Sequence, residues 1–296
     1  MCRMVRFVFV LLTVSIFSIH PRLACAQDNQ TVLIESLVIS GTQAIDSTEL
    51  AEIANSIAGS IFRDDHDELE ERLRAQFQEH GYLNAEVKNL EIKVIDPLSN
   101  PKPVRLEADV SEGPRFRLSG IEFIDNHAFG SSELRAKFSI KAGDVFARSK
   151  IGAGVESVKK LYGSRGYPWV TLIMDTRMDS SSTMKLMITM EEGTQYRMGK
   201  LEVLGPADVA ARLQIRWKLA PGAIFDMGYP KMFLDKNRSL LPADFNESTS
   251  LGRFFDCNDA TVSIHLHLVQ DPEHTARDRA NQVECKSDAE RGKKAD

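Results

Sequence analysis

Apolar and polar positions follow two rhythms along this chain, and the rhythms recur in the same order. Val32 to Ile39 reads as a strand, alternating toward its end, and Ser40-Gly41 turns it. Ser47-Thr48-Glu49-Leu50 opens a helix with a hydroxyl cap and an acid in the first turn. Leu50, Ile53, Ala54 and Ile57 share one face of it. Gly59 ends it, and Ile61-Phe62 is expected to pack inward. Asp65 and Glu68 have capping-box spacing, and Leu69, Leu73 and Phe77 stand four apart on the helix that follows. Gly81 stops that helix, because glycine accepts the positive φ past a helix end. A strand is predicted from Tyr82 to Val94, a loop from Pro97 to Pro103 and a third strand from Val104 to Val110. One unit therefore reads βααββ.

The order then repeats. Phe116 to Ile124 is a first strand, Ser131-Ser132-Glu133-Leu134 opens a short helix, and Lys141 to Phe146 matches Ala58 to Phe62. A second helix over Ser149 to Ser164 turns Ile151, Val155, Val158 and Tyr162 inward. Gly152 and Gly154 either weaken it, by up to roughly 1 kcal/mol each, or mark close packing. Tyr167 to Thr176 and Met184 to Met190 form a hairpin. The two Gly-Tyr steps, Gly81-Tyr82 and Gly166-Tyr167, lie roughly 80 residues apart, a spacing of repeated small domains. A third, degenerate copy has a first strand at Tyr196 to Gly205, a helix at Ala207 to Leu219 and a Gly222-x-x-Phe225 turn. Its second helix lies around Lys231 to Leu240 and its last strand at Ala260 to Val269. Gly228-Tyr229-Pro230 falls at the start of that second helix, so its likeness to Gly166-Tyr167-Pro168 is coincidence.

Two segments stand outside these rhythms. Arg3 and Arg6 precede an apolar run from Phe7 to Ile19, and Ala24-Cys25-Ala26 fits a small-x-small site, which predicts a signal peptide cleaved after Ala26. The run is shorter than the roughly 20 apolar residues of a spanning helix. From residue 271 to 296 the chain is polar and charged, the composition of a disordered tail. The formal charge is -5, and removing the leader, with three arginines and no acid, takes it to -8. That excludes a general nucleic-acid binder, which needs a basic face. Of four cysteines, Cys2 and Cys25 leave with the leader. Cys257 and Cys285 remain, an even pair in an oxidising compartment and a candidate disulfide.

The motif order resembles the POTRA repeat, the polypeptide-transport-associated domain. The residues that carry the resemblance are Gly81-Tyr82 and Gly166-Tyr167, Glu112-Gly113 and Glu192-Gly193, and the Gly59, Gly143 and Gly222 turns to Phe62, Phe146 and Phe225. It implies an α+β fold of tandem βααββ domains, two helices over a three-stranded mixed sheet. The expected division is 31–114, 115–194 and a degenerate third domain at 195–270. It also implies likeness to the periplasmic arm of the BamA and TamA outer-membrane insertase superfamily, where such domains contact client polypeptides and partner proteins. No barrel of at least about eight strands follows in this sequence, so a pore is not expected of it.

The resemblance places the strand after each Gly-Tyr step at a sheet edge, where an extended client can pair with unpaired N–H and C=O groups. In the first unit Glu86, Lys88, Glu91 and Lys93 fit a guarded edge. In the second, Trp169, Val170, Thr171, Leu172, Ile173 and Met174 are barer and form the candidate peptide-binding edge. Packing of that stretch against the next unit is the alternative. Tyr82 and Tyr167 read as core or hinge packing, and Met174, Met178, Met184, Met187 and Met190 as alternating strand packing or an adaptable client surface. His265 and His267 share a strand face without a third metal ligand nearby. No cofactor, metal, nucleic acid or small-molecule substrate is implied. The expected role is non-catalytic binding of unfolded outer-membrane proteins, of a separately encoded outer-membrane barrel protein, or of both, in the periplasm. An envelope scaffold that touches only folded machinery, and a secreted hydrolase with residues converging from separate units, are the alternatives.

Overall fold

The computed structural model describes residues 31–63 and 65–269, which form three successive units, each with its own sheet and core. The leader with Ala26, Cys285 and the tail from 271 lie outside the described residues. Unit 1 comprises β1 (Thr31–Ser40), α1 (Ser47–Ile57), β2 (Ile61–Arg63), α2 (His66–Glu79), β3 (Glu86–Val94) and β4 (Lys102–Ser111). Unit 2 comprises β5 (Arg117–Ile124), α3 (Ser131–Arg135), α4 (Arg148–Ser164), β6 (Thr171–Met178) and β7 (Thr183–Glu191). Unit 3 comprises β8 (Arg197–Leu204), α5 (Ala207–Arg216), α6 (Tyr229–Lys236), α7 (Glu247–Ser250), β9 (Leu251–Asp256) and β10 (Thr261–His267).

The sheets share one plan. The last strand of each unit is central, parallel to the first strand and antiparallel to the one before it, giving orders β2-β1-β4-β3, β5-β7-β6 and β8-β10-β9. The helices cover one face, so the central strands alternate: Leu186, Ile188 and Met190 of β7 are buried, as are Val262, Ile264 and Leu266 of β10, where His267 at the strand end is buried as well. On the other side of the cores of units 1 and 2 stand the helix stripes, Leu69-Leu73-Phe77 and Ile151-Val155-Val158-Tyr162, all buried.

The Gly-x-x-Phe turns do one job three times. Gly59, Gly143 and Gly222 have φ of +81, +90 and +82, a region that costs a side-chain-bearing residue. Their N–H groups donate to Ile34, Leu118 and Met198 of the first strand, at 2.7, 2.8 and 2.7 Å. In units 2 and 3 this pairing stops at single bridges, Arg117 with Val145 and Arg197 with Ile224. In unit 1 it extends into β2, an antiparallel strand on β1. Ile61 is thus a strand residue, 59% exposed, and not the inward-packing residue expected of it; Phe62 packs against the core.

Other boundaries also shift. The cap of α1 is Asp46, whose carboxylate accepts from the Thr48 and Glu49 N–H groups, and not Ser47 or Thr48. The strands after the Gly-Tyr steps begin later than Tyr82 and Tyr167, at Glu86 and Thr171, because a turn intervenes in each case. Unit 3 contains β9, which the apolar rhythm did not single out, and its departure from the other two lies in α6. That helix has 8 residues against 14 in α2 and 17 in α4.

Candidate strand-pairing edge and the junctions between units

Among the described residues β6 is paired on one side only, with β7. The Asp179 N–H donates to the Thr183 carbonyl at 3.0 Å, which fixes the phase of the ladder. In an antiparallel pair, hydrogen-bonded and open positions alternate. Residues 171, 173, 175 and 177 therefore direct their N–H and C=O groups toward β7. Leu172, Met174, Thr176 and Met178 direct theirs away from the sheet.

The side chains beside those outward groups are half exposed: Met174 at 51% and Met178 at 48%. Both lie on the face that carries Leu186 and Ile188 of β7, opposite those residues or one pair removed, but beyond the cover of α4. Ile173, on the other face, is 48% exposed. The only charged residues of β6 are Asp175 and Arg177. β3, the corresponding edge of unit 1, carries Glu86, Lys88, Glu91 and Lys93, and Lys93 Nζ is held by Glu107 at 2.5 Å and Glu91 at 3.6 Å. An added strand at β6 would cover apolar surface; one at β3 would meet alternating charge.

Two residues of the expected edge do not belong to it. Trp169 and Val170 precede β6. Trp169 reaches unit 3, its ring 4.9 Å from that of Phe255 on β9, and Phe255 in turn stands 5.4 Å from Tyr196. Val170 packs on the unit 2 core. The edge thus runs over Thr171–Met178, retaining Thr171, Leu172, Ile173 and Met174 and extending to Met178.

The Gly-Tyr steps are junctions. Gly81 and Gly166, with φ of +91 and +84, turn the chain and present their carbonyls to the next unit. The Phe116 N–H donates to Gly81 at 2.8 Å and the Tyr196 N–H to Gly166 at 2.6 Å. The residue before each acceptor is held too: Arg115 Nε donates to the His80 carbonyl at 3.1 Å and Gln195 Nε2 to the Arg165 carbonyl at 2.9 Å. Tyr82 is buried, edge-on to Phe77, and Tyr167 is edge-on to Tyr162.

The first junction adds an ionic knot. Glu49 receives Arg115 at 2.8 Å, His80 Nδ1 at 3.0 Å and the Tyr82 hydroxyl at 3.3 Å. Burial and the Glu49 carboxylate push the Tyr82 phenol up. The α4 N-terminus is served from unit 1, because Ala147 has no side chain to cap it. Glu79 accepts from the Ser149 N–H at 2.9 Å and from its hydroxyl.

Glu112 and Glu192 have parallel roles within their units. Glu112 is 6% exposed and accepts from the Gln43 and Ala44 N–H groups at 2.7 and 2.6 Å, tying the loop before α1 to the end of β4. Burial pushes its carboxyl up, but the two backbone donors outweigh that and hold it below the ordinary value. Glu192 accepts from the Ala128 N–H at 2.9 Å and from the Tyr162 hydroxyl at 2.7 Å. Burial first, then Glu192, drives the Tyr162 phenol far above its ordinary range. Gly113 and Gly193, both at φ +69, follow these glutamates into the linkers. Spacing alone could flag the Glu-Gly pairs but not the loops they hold.

Cys257 lies in the turn after β9, and Cys285, the partner expected for it, lies outside the described residues. Among the described residues no group of three or more His, Cys, Asp or Glu is arranged to hold a metal, and no helix is long and apolar enough to cross a membrane.

A POTRA family model, described as surface antigen variable number repeat, matches residues 32–113 and 116–193. A curated protein of Treponema pallidum (strain Nichols), named "Putative outer membrane protein assembly factor", is 22% identical over 224 residues. The match takes in 72% of this chain and 26% of that one, so this chain spans about a quarter of its relative's length. The solved BamA POTRA3-5 of Haemophilus influenzae is similar with a TM-score of 0.56 at 19% identity, over 81% of this chain and 97% of that one. POTRA1-3 of Omp85 from Anabaena aligns over 84% of this chain and 99% of that one, with a TM-score of 0.33 at 14% identity. The Haemophilus likeness is one of fold.

Proposed function

The chain belongs to the POTRA family, whose model covers more than half of it, and from that membership we propose that it binds extended polypeptides in outer-membrane protein assembly by accepting them as an added strand at β6. The name of the Treponema relative supports the assembly role. The single observation that carries strand addition is the β6 edge itself. Its backbone groups at Leu172, Met174, Thr176 and Met178 point away from the sheet, beside half-exposed Met174 and Met178. A client strand there gains main-chain hydrogen bonds whatever its sequence, and its alternate side chains cover the methionines, which adapt to varied shapes. The role is non-catalytic and periplasmic, following the predicted leader. The clients are unfolded outer-membrane proteins, with a separately encoded barrel protein as the further partner.

The test uses a photo-crosslinking residue at Ile173 in the exported chain. Met174→Pro deletes an outward N–H and leaves the β7 ladder intact, whereas Thr171→Pro removes a donor directed at β7. Adducts with unfolded outer-membrane proteins that fall severalfold in Met174→Pro support the reading. Unchanged adducts in a folded Met174→Pro variant reject it, and adducts confined to folded assembly proteins favour a scaffold role.

A further inference from the structure

Beside the shortened α6, unit 3 has a groove of about 510 Å³ between the end of α5 and the outer side of α6. Tyr229 and Phe233 line it, with their rings stacked at 6.3 Å, and Trp217 packs edge-on to both at 4.8 and 4.9 Å. Ile215 and Met232 also line it, at 74% and 57% exposure, so two large apolar side chains stand open to water where the helices diverge. Three cations complete the lining: Arg216, Lys218 and Lys236.

These cations differ from their neighbour Lys231. Lys231 on the same helix is paired with Asp235 at 3.5 Å and Glu247 at 3.7 Å. Among the described residues, no carboxylate lies within ion-pair distance of Arg216, Lys218 or Lys236. Two are nevertheless fixed. Arg216 Nη1 donates to Oδ1 of buried Asn237 at 3.0 Å, and Lys218 Nζ donates to the Ile215 carbonyl at 3.1 Å. Arg216 and Lys236 close α5 and α6, where the helix dipole favours a positive charge and holds it without a partner. The chain as a whole carries -5, so this cluster runs against its overall charge.

We infer that this groove docks an acidic amphipathic helix of a partner protein, with apolar side chains over Tyr229 and Phe233 and carboxylates at Arg216, Lys218 and Lys236. The occupant is a helix because the groove walls are side chains on two helices. They offer no strand edge, so the ligand must satisfy its own backbone. It is acidic because the rim presents three cations, none with a carboxylate partner among the described residues, around an apolar floor. The surface is separate from β6, on another unit, and does not depend on strand addition there.

The probe is a labelled helical peptide of about 16 residues with leucines at i, i+3, i+4 and i+7 and glutamates on the flanks, and a second with lysines replacing the glutamates. Binding to the purified full chain is followed by fluorescence anisotropy. The acidic peptide binds, the basic one does not, and added salt weakens the complex. Ile215→Asp, Met232→Asp and the pair Lys218→Glu/Lys236→Glu, all at exposed positions, each weaken binding at least about tenfold. Met174→Pro leaves it unchanged, which separates this result from the fate of the β6 reading. The inference is overturned if both peptides bind alike or if the groove variants bind normally. It also falls if phosphatidylglycerol vesicles, and not the peptide, compete for the groove. A dimer in sedimentation that Ile215→Asp dissolves would assign the face to a second copy instead.

Discussion

The Gly166 carbonyl accepts the Tyr196 N–H at 2.6 Å, and a Cβ built on Gly166 would lie 2.5 Å from the Tyr196 carbonyl oxygen. The glycine is required twice over, for its φ of +84 and for the closeness of the next unit. Gly81 repeats the arrangement, 2.9 Å from the Phe116 carbonyl and 2.7 Å from Val145 Cγ1. The same contact at both junctions links the turn after the long helix of one unit, α2 or α4, to the residue just before the first strand of the next.

Gly166→Ala and Gly143→Ala should therefore separate in cost. Gly143 has a φ of +90 but nothing within 4 Å of its Cβ position, so alanine there costs about 1–2 kcal/mol of backbone strain alone. Gly166→Ala adds a collision with backbone and must also displace unit 3. Thermal unfolding should rank it as the more damaging, and solution X-ray scattering should change shape for Gly166→Ala only.

The two glycines of α4 should respond in opposite directions. A Cβ on Gly152 meets nothing within 4 Å, so Gly152→Ala should stabilise by roughly 0.5–1 kcal/mol through helix propensity. A Cβ on Gly154 would lie 2.2 Å from Phe138 Cδ1, and the overpacking, about 1–3 kcal/mol, outweighs that gain. Denaturant midpoints of the two single variants test the sign.

Glu112 should make unit 1 sensitive to acid. Its folded pKa is lowered, so its contribution is present above the ordinary 4.5 and lost as pH falls through the lower folded value. Glu112→Ala strands the Gln43 and Ala44 N–H groups, at about 1–3 kcal/mol for each left unsatisfied. Glu112→Gln should flatten the acid limb of the stability profile, measured by urea unfolding across pH.

Tyr162 should act at the other end of the scale. Its folded pKa lies above the unfolded 10.0, so its contribution is complete below pH 10.0 and is lost as pH rises beyond it and the unfolded state ionises. Tyr162→Phe deletes the 2.7 Å bond to Glu192, at about 1 kcal/mol, and should remove that alkaline slope. Alkaline titration of the phenol absorbance against unfolding checks both.

Legible in the residues alone were the order of the main helices and of most strands, the helix faces such as Leu69-Leu73-Phe77, the turns at Gly59, Gly143 and Gly222, and the two Gly-Tyr steps. Each is a local property: side-chain period, a cap, or a φ that few residues accept. Features whose partners lie elsewhere in the chain emerged only on folding. Ile61–Arg63 became β2 because β1 lay beside it, and β9 formed against β10. Trp169 left the expected edge because Phe255, 86 positions on, offered it a ring. The signature glutamates acquired their meaning from loops 64 to 69 residues away, at Ala128, Gln43 and Ala44. A residue's neighbours in the chain set its backbone preference, but the free energy of a hydrogen bond or an apolar contact comes from whichever group the fold brings to it.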